Sequence, residues 1–214
     1  MGRDNTVVSL FAGRVPEPDD VQRASEAVRS WARQDGLTVV DDPNAPEQVI
    51  LLQIGDEPWI TPLRPGLEID EDTARAWACG LSKHSGMPAV GGVVHDSDLL
   101  ELFLARDGEV AGELNMSDIY FDGEAAEEPT DGELIPWEVV LRDPGKMVAF
   151  EKRWRRREKK PESALAELCK LLGFDGGGMG GFAAARWMLT EDTLQAAGGF
   201  SLPTRVLARI GIQD

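Results

Sequence analysis

The order of short apolar runs and helical stretches in the first 105 residues constrains the fold of this chain more than any other feature. A β-branched run at Thr6–Ala12 is followed by a helical pattern at about Asp19–Gln34 and by two further strand-like runs, Leu37–Val40 and Gln48–Ile54. Apolar residues in that helical pattern recur at three- and four-residue spacing, which is typical of a helix with one buried face. The sequence therefore predicts a β-α-β-β unit over residues 6–54.

The same order of elements recurs over residues 58–105. Trp59–Leu63 predicts a short strand, which its prolines would confine to the edge of a sheet, because proline cannot donate to a strand ladder. A helix at about Asp70–Lys83 follows, and Ala89–Val94 and Leu99–Ala105 then predict a hairpin. The two units share this order but no identity of sequence.

Two β-α-β-β units predict an antiparallel sheet with two helices on one face. This order of elements resembles that of the gyrase-inhibitor-like ligand-binding modules. Repeated units of this kind commonly leave the other face of the sheet for a ligand or a partner, whereas the resemblance itself implies neither a function nor a site residue. The fold class expected for the chain is α+β.

The remainder of the chain predicts an acidic linker and a helical layer. Asp122–Glu133 holds six acidic residues with a proline and two glycines, a composition typical of a loop. From Lys146 the pattern becomes helical, and the apolar tail Leu202–Ile212 is expected to dock on the rest of the protein. We expect three regions in one compact unit: a sheet region at 1–121, a linker at 122–145 and a helical layer packed on the sheet at 146–214.

Charge is distributed unevenly along the chain. The formal net charge is -16, and residues 1–145 carry 30 acids against 10 bases, whereas residues 146–214 carry 8 acids against 12 bases. A strongly acidic protein is repelled by nucleic acids and by anionic membranes, and it is attracted to basic proteins and cations. We therefore expect a basic protein or a cationic ligand as the partner, and neither nucleic acid nor a membrane.

No segment of the sequence indicates targeting or membrane insertion. The polar start Met1–Thr6 lacks the basic and apolar regions of a signal peptide, and no apolar run approaches the roughly 20 residues that span a bilayer. Cys79 and Cys169 lie in helical patterns and are interpreted as free, buried thiols. These features predict a cytoplasmic protein and leave its oligomeric state open.

The sharpest cluster of polar residues is His95–Asp96–Ser97–Asp98, followed by Glu101. On an extended strand Asp96 and Asp98 share one face, so their carboxylates, with Glu101, are candidate ligands for Mg²⁺ or Ca²⁺. A water on such a metal, next to His95 as base, would be a hydrolytic nucleophile. The competing interpretation is a tight hairpin turn, because Asp and Ser hydrogen-bond readily to the local backbone.

Two other polar features have simpler structural interpretations. The run Gly176–Gly181 matches the spacing of a phosphate-binding loop, but a helix rather than a strand is expected before it, which favours a hinge. His84, at the end of the second predicted helix, is interpreted as a cation that complements the helix dipole rather than as a catalytic group.

The densest basic segment is Lys152–Lys160, which contains seven bases in nine residues around Trp154. Basic runs with an aromatic residue can bind nucleic acid, but the rest of this molecule is acidic and would oppose such binding. A solvated helix face is the simplest interpretation. Pairing with the acids of Asp122–Glu133, or with those of another subunit, is the alternative.

Trp59 and Trp137 differ from the other tryptophans because each lies next to a proline. They are candidates for an exposed groove or interface, where tryptophan is enriched. The alternative is that both cover the edges of the sheet.

The sequence contains no recognisable nucleophile motif, and the function expected first is that of a non-enzymatic binding protein. Its acidic N-terminal two-thirds would recognise a basic protein, as an inhibitor or immunity-type protein recognises a basic toxin. One alternative is a divalent-metal-dependent hydrolase that uses the His95–Asp98 segment. The other is a small-molecule-binding module with its pocket at the open sheet face near Trp59 and Trp137. No cofactor is expected outside the metal hypothesis.

Overall fold

A computed structural model shows a mixed α+β protein built on one antiparallel sheet. The structure describes residues 5–42, 45–64, 71–95, 99–117, 134–141, 143–155, 167–168, 170–173 and 204–213. The acidic segment Asp122–Glu133, the run Gly176–Gly181 and Asp96–Asp98 lie outside the described residues, as does Cys169. Cys79 is a free thiol.

The strands are β1 (Asn5–Phe11), β2 (Thr38–Val40), β3 (Glu47–Ile54), β4 (Trp59–Leu63), β5 (Ala89–His95), β6 (Leu99–Arg106), β7 (Glu109–Ser117) and β8 (Thr204–Gln213). The helices are α1 (Pro18–Gln34), α2 (Glu71–Ser85) and α3 (Met147–Trp154), with short 3-10 helices at Ile135–Val140 and Pro144–Lys146. Further helical residues lie at 167–168 and 170–172. In the described part of the chain, no helix is long and apolar enough to cross a membrane.

The strands form a single sheet in the order β2-β8-β3-β4-β1-β5-β6-β7, and all neighbours run antiparallel. β1 and β4 lie side by side near its centre, where Leu10 is opposite Ile60. β1 also pairs with β5, and β4 also pairs with β3. The first strand of each β-α-β-β segment therefore adjoins a strand of the other segment, which joins both segments in one ladder.

The central position of β4 shows that the edge position expected from its prolines is wrong. Pro62 lies opposite Leu51 of β3, while the register between β4 and β1 covers only Trp59 and Ile60. Pro62 thus lies beyond the last residue that pairs with β1, where the ladder requires no backbone donor. A proline is compatible with a central strand where the neighbouring ladder has ended.

α1 and α2 pack on one face of the sheet. Their small buried residues, Ala24, Ala27, Ala74 and Ala78, let both helices lie close to the strands and to each other. Aromatic rings fill the space between the helices, with the ring centroids of Trp31 and Trp77 5.3 Å apart. This face of the sheet carries the helices that the sequence predicts.

The other face of the sheet is covered as well, and it is not left open as expected for repeated β-α-β-β units. Strand residues meet side chains of Ile135–Val140, of α3 and of Leu168 and Leu172 in one apolar cluster. In that cluster the rings of Trp137 and Phe150 stack at 5.8 Å. The cluster comprises Phe11, Ile50, Leu52, Trp59, Leu63, Val90, Leu102, Leu104, Leu114, Leu134, Trp137, Val140, Leu141, Phe150, Trp154, Leu168 and Leu172. The expected C-terminal helical layer therefore lies on this face.

β8 corrects the expectation that residues 146–214 form only a helical layer. This ten-residue strand lies between β2 and β3 and pairs with both. Gly211 permits the close fit, because a Cβ there would lie 2.7 Å from Val40 Cγ2 and 2.9 Å from Ala45 Cβ. The apolar composition of the tail predicts docking but not the type of element, since a short apolar run fits a strand or a buried helix.

Candidate binding surfaces

The polar segment His95–Asp98 connects two paired strands. His95 is the last residue of β5, and its backbone lies opposite Leu99, the first residue of β6. Asp96 and Asp98 lie outside the described residues, as does the side chain of His95. The metal site stays a prediction. It would be supported by a rise in melting temperature with Mg²⁺ or Ca²⁺ that Asp98→Ala abolishes.

Glu101 lies on β6, and its side chain faces α2 rather than solvent. It is 9% exposed, and its Oε2 lies 3.4 Å from Nη2 of Arg75. Arg75 also forms an ion pair with Glu113 of β7 and lies over the ring of Phe103, 5.1 Å from its centroid. A metal at Glu101 would therefore share this carboxylate with a guanidinium. The described residues contain no group of three or more His, Cys, Asp or Glu side chains placed to hold a metal ion.

Trp59 and Trp137 are buried, so the expectation of an exposed groove at these residues is wrong. Trp59 is 1% exposed and Trp137 is fully buried. The indole N–H of Trp59 donates to the carbonyl of Leu172 over 2.9 Å, which ties β4 to the C-terminal helical layer. Because Trp137 and the helical residues pack over the sheet around Trp59, the described residues leave no open sheet face at this place, and a small-molecule site stays a prediction.

The basic run starts in α3, and only its residues up to Arg155 are described. Arg155 is exposed and its Nε lies 2.9 Å from Oε1 of Glu151, one turn earlier. Arg153 is 6% exposed and forms an ion pair with Glu167. Arg153 is thus not part of a solvated helix face, since an acid of the helical layer pairs with it.

A groove of about 500 Å³ opens beside this ion pair, between α3 and residues 167–171. Its lining, named here the basic groove, consists of Lys146, Ala149, Lys152, Arg153, Glu167, Lys170 and Leu171. The three lysines are exposed, whereas Arg153 is buried. A locally positive, concave surface is therefore built into a protein of strongly negative net charge.

A second charged surface lies at the edge of the sheet formed by β7. Asp107, Glu109 and Glu113 are exposed there. These three residues and the outer side of β7 together form the surface named the acidic edge. Among the described residues no strand pairs with that outer side. Alternate residues of an edge strand direct backbone N–H and C=O groups outward, where another chain can pair with them. The other edge, β2, is only three residues long.

Cys79 and His84 both lie on α2, in different environments. Burial raises the pKa of the Cys79 thiol, with Arg75 opposing the shift and Glu109 reinforcing it. A thiol that stays protonated is a weak nucleophile. His84 lies in the last turn of α2. Its Nε2 lies at hydrogen-bond distance, 3.0 Å, from Nε2 of Gln34, and this contact links α2 to α1.

Sequence reasoning missed most of the residues that form these surfaces. Arg75 has no neighbouring motif, and only its place beside the buried face of α2 lets its long side chain reach β6 and β7. Lys146 and Lys170 are single bases in separate helical segments, which only the folded helical layer brings together. The clustering of Lys152 and Arg153 in the basic run was the one signal that pointed toward the groove.

Comparison with known proteins returned no match. No family model, no curated protein and no solved structure matches the chain. The likeness to the gyrase-inhibitor-like modules is therefore one of element order alone.

Proposed function

We propose that this chain is a non-enzymatic binding protein that recognises a basic protein partner through its acidic edge. The observation that carries the proposal is the combination, on β7, of an unpaired outer side among the described residues with exposed carboxylates. An extended segment of the partner would pair with β7 as a ninth strand, and main-chain hydrogen bonds would supply part of the affinity. Basic side chains of that segment would meet Glu109 and Asp107.

The ladder itself offers a long pairing surface at β7. The strand spans nine residues, Glu109–Ser117, and the β6–β7 register shifts between Leu104 and Ala105. That shift leaves Ala111 without an opposite residue and makes a bulge near the start of β7. Beyond the bulge, Gly112–Ser117 pairs regularly with β6, so an added strand would pair with this part of the edge and extend past the bulge to reach Glu109.

The negative charge of the rest of the chain also favours a basic partner. The described residues hold 20 of the 38 acids and 15 of the 22 bases, so -11 of the net charge of -16 belongs to the other segments. The stretch 118–133, which follows β7 directly in the sequence, contains seven acids and no base. A surface of opposite charge raises the rate at which a partner associates. A surface of the same charge as the partner lowers the affinity for it.

Inhibitor and immunity-type proteins are one class that would act in this way, by covering a basic surface of a toxin. Nucleic acids and anionic membranes are outside the proposal, because the net charge repels both. The partner is therefore defined by chemistry: a basic protein with an extended, strand-forming segment.

Binding of a fluorescent peptide of alternating Lys and Val tests the proposal. We expect its affinity to fall at least about tenfold when salt is raised from roughly 50 to 500 mM, because screening shortens the reach of the charges. Glu109→Lys should weaken binding by roughly fivefold or more, since it places a repelling charge on the edge. Glu26→Lys makes the same charge change on the exposed side of α1 and is the matched control.

Three outcomes would contradict the proposal. The first is an affinity that does not respond to salt. The second is an equal loss of affinity in Glu109→Lys and Glu26→Lys, which would mean that the peptide senses net charge rather than the edge. The third is equally tight binding of a control peptide of alternating Glu and Val.

A further inference from the structure

The lining of the basic groove brings several basic side chains together on one concave surface. Three exposed lysines, Lys146, Lys152 and Lys170, line it together with the buried Arg153 and a single acid, Glu167. Because Glu167 forms an ion pair with Arg153, the lysine ammonium groups account for the net positive charge of the lining. This charge is independent of the acidic edge, which lies on β7.

The shape of the groove favours a small ligand. Its volume of about 500 Å³ falls within the range of roughly 300–1,000 Å³ that is usual for small-molecule sites. Ala149 and Leu171 contribute apolar surface to the lining. A compact molecule could place its charged group among the lysines and a less polar part against this surface.

The net charge of the whole chain restricts the size of any anion that binds here. With a net charge of -16, the protein repels the parts of a nucleic acid or an acidic protein that extend beyond the groove, and the repulsion grows with every such charge. A compact anion keeps all of its charge within reach of the lysines, and beyond roughly 8 Å the remaining charges are screened at physiological salt. The groove therefore suits a small anion better than a macromolecular one.

We propose that the basic groove binds a small, phosphate-bearing anion. A phosphate group carries a charge of about -1.5 to -2 near neutral pH and offers three acceptor oxygens. Lysine binds such a group as a flexible point charge, and three ammonium donors converging on one group give more binding than any one of them alone. A phosphomonoester or a pyrophosphate group matches the three lysines in charge, and the rest of the groove leaves room for the remainder of such a ligand.

Isothermal titration of the full chain with pyrophosphate and with inorganic phosphate tests this site. We expect pyrophosphate to bind more tightly than phosphate, because it carries more charge in little more volume. Lys152→Gln and Lys170→Gln should each weaken pyrophosphate binding about tenfold, the loss that accompanies one charge-assisted hydrogen bond. The triple variant Lys146→Gln, Lys152→Gln, Lys170→Gln should not bind it.

Lys83→Gln is the matched control, since Lys83 is an exposed lysine in the last turn of α2, outside the groove. Its affinity for pyrophosphate should stay within about twofold of that of the unaltered chain. Each substituted lysine is exposed, and the melting temperature of every variant shows whether the fold is kept.

Several results would overturn the proposal. Pyrophosphate binding that survives in the triple variant would place the site elsewhere. If titration with pyrophosphate releases no more heat than titration with sodium chloride at matched ionic strength, the signal reflects screening of the protein's charges rather than binding. Citrate bound as tightly as pyrophosphate would replace the phosphate assignment with general recognition of polyanions.

Discussion

Asp20, near the start of α1, is a buried carboxylate that receives three hydrogen bonds. Its oxygens lie 2.7 Å from Nη1 of Arg14 and 2.6 Å from Nη2 of Arg23, and the backbone N–H of Glu17 donates over 3.0 Å. Burial by itself would raise the pKa of the Asp20 carboxyl. The Glu17 amide and the two guanidinium groups outweigh it, so the pKa lies below its usual value. The first turn of α1 is held by this one charged group.

Asp20→Asn is expected to lower the free energy of unfolding by about 1 kcal/mol at pH 7, because both ion pairs are lost. A carboxyl whose pKa is depressed in the folded state stabilises the protein above its unfolded pKa of about 3.9, and the stabilisation is lost as the pH falls through the folded pKa. The urea denaturation curves of Asp20→Asn and the unaltered chain should therefore converge in acid. Asp19→Asn, which removes an exposed carboxylate one position earlier, is the matched control.

Gly91 is a second position at which the neighbouring residues determine the residue type, because they leave no space for a side chain. A Cβ at this position would lie 2.2 Å from two ring atoms of Phe103, on the adjacent strand β6. We expect Gly91→Ala to destabilise the protein by about 1–3 kcal/mol through overpacking. Gly80→Ala, in α2, is the contrast, because its Cβ would make an ordinary 3.5 Å contact with Trp31 of α1. That variant should be unchanged or up to about 1 kcal/mol more stable. Equal effects of both substitutions on stability in urea denaturation would contradict the close contact between Gly91 and Phe103.

At the scale of elements, local pattern was enough to predict α1, α2, β5 and β6, because each is a periodic segment bounded by turn residues. It was not enough for β4 and β8. The place of β4 depends on where β1 stops pairing, and the place of β8 depends on a gap between β2 and β3. Both are properties of strands distant in sequence, which the pattern of a single segment does not contain.

The hydrogen bond from Trp59 to Leu172 joins the sheet to the C-terminal helical layer, and its removal tests how that layer is held. Trp59→Phe keeps an aromatic ring but leaves the buried carbonyl without its donor, at a cost of about 1–2 kcal/mol. Hydrogen exchange of the amides at 170–173 should become faster in this variant. Trp137→Phe is the matched control, because Trp137 lies in the same apolar cluster as Trp59 and its indole N–H has no hydrogen-bond partner among the described residues. Faster exchange at 170–173 in both variants would mean that ring volume, and not the hydrogen bond, holds the layer.

At the scale of the whole molecule, the protein carries two surfaces of opposite charge: the acidic edge, on strand β7 of the sheet, and the basic groove, in the helical layer that covers one face of the sheet. The sequence predicts the acidic character and the start of the basic run, since both are visible in composition. It does not predict that β7 is an edge, or that Lys146 and Lys170 meet beside Arg153, because these depend on strand order and helix packing. It also misplaces Trp59 and Trp137, because a tryptophan beside a proline is as compatible with a covered strand as with an interface.

Hydrogen exchange along β7, with and without the peptide of alternating Lys and Val, is the most direct test of the acidic edge as a binding surface. Strand addition requires that the outward-facing amides of Gly112–Ser117 become protected, while the inward amides, already bonded to β6, change little. That alternating protection is the predicted result. Protection confined to other elements, or no change along β7 at saturating peptide, would contradict the proposal that this edge receives the partner.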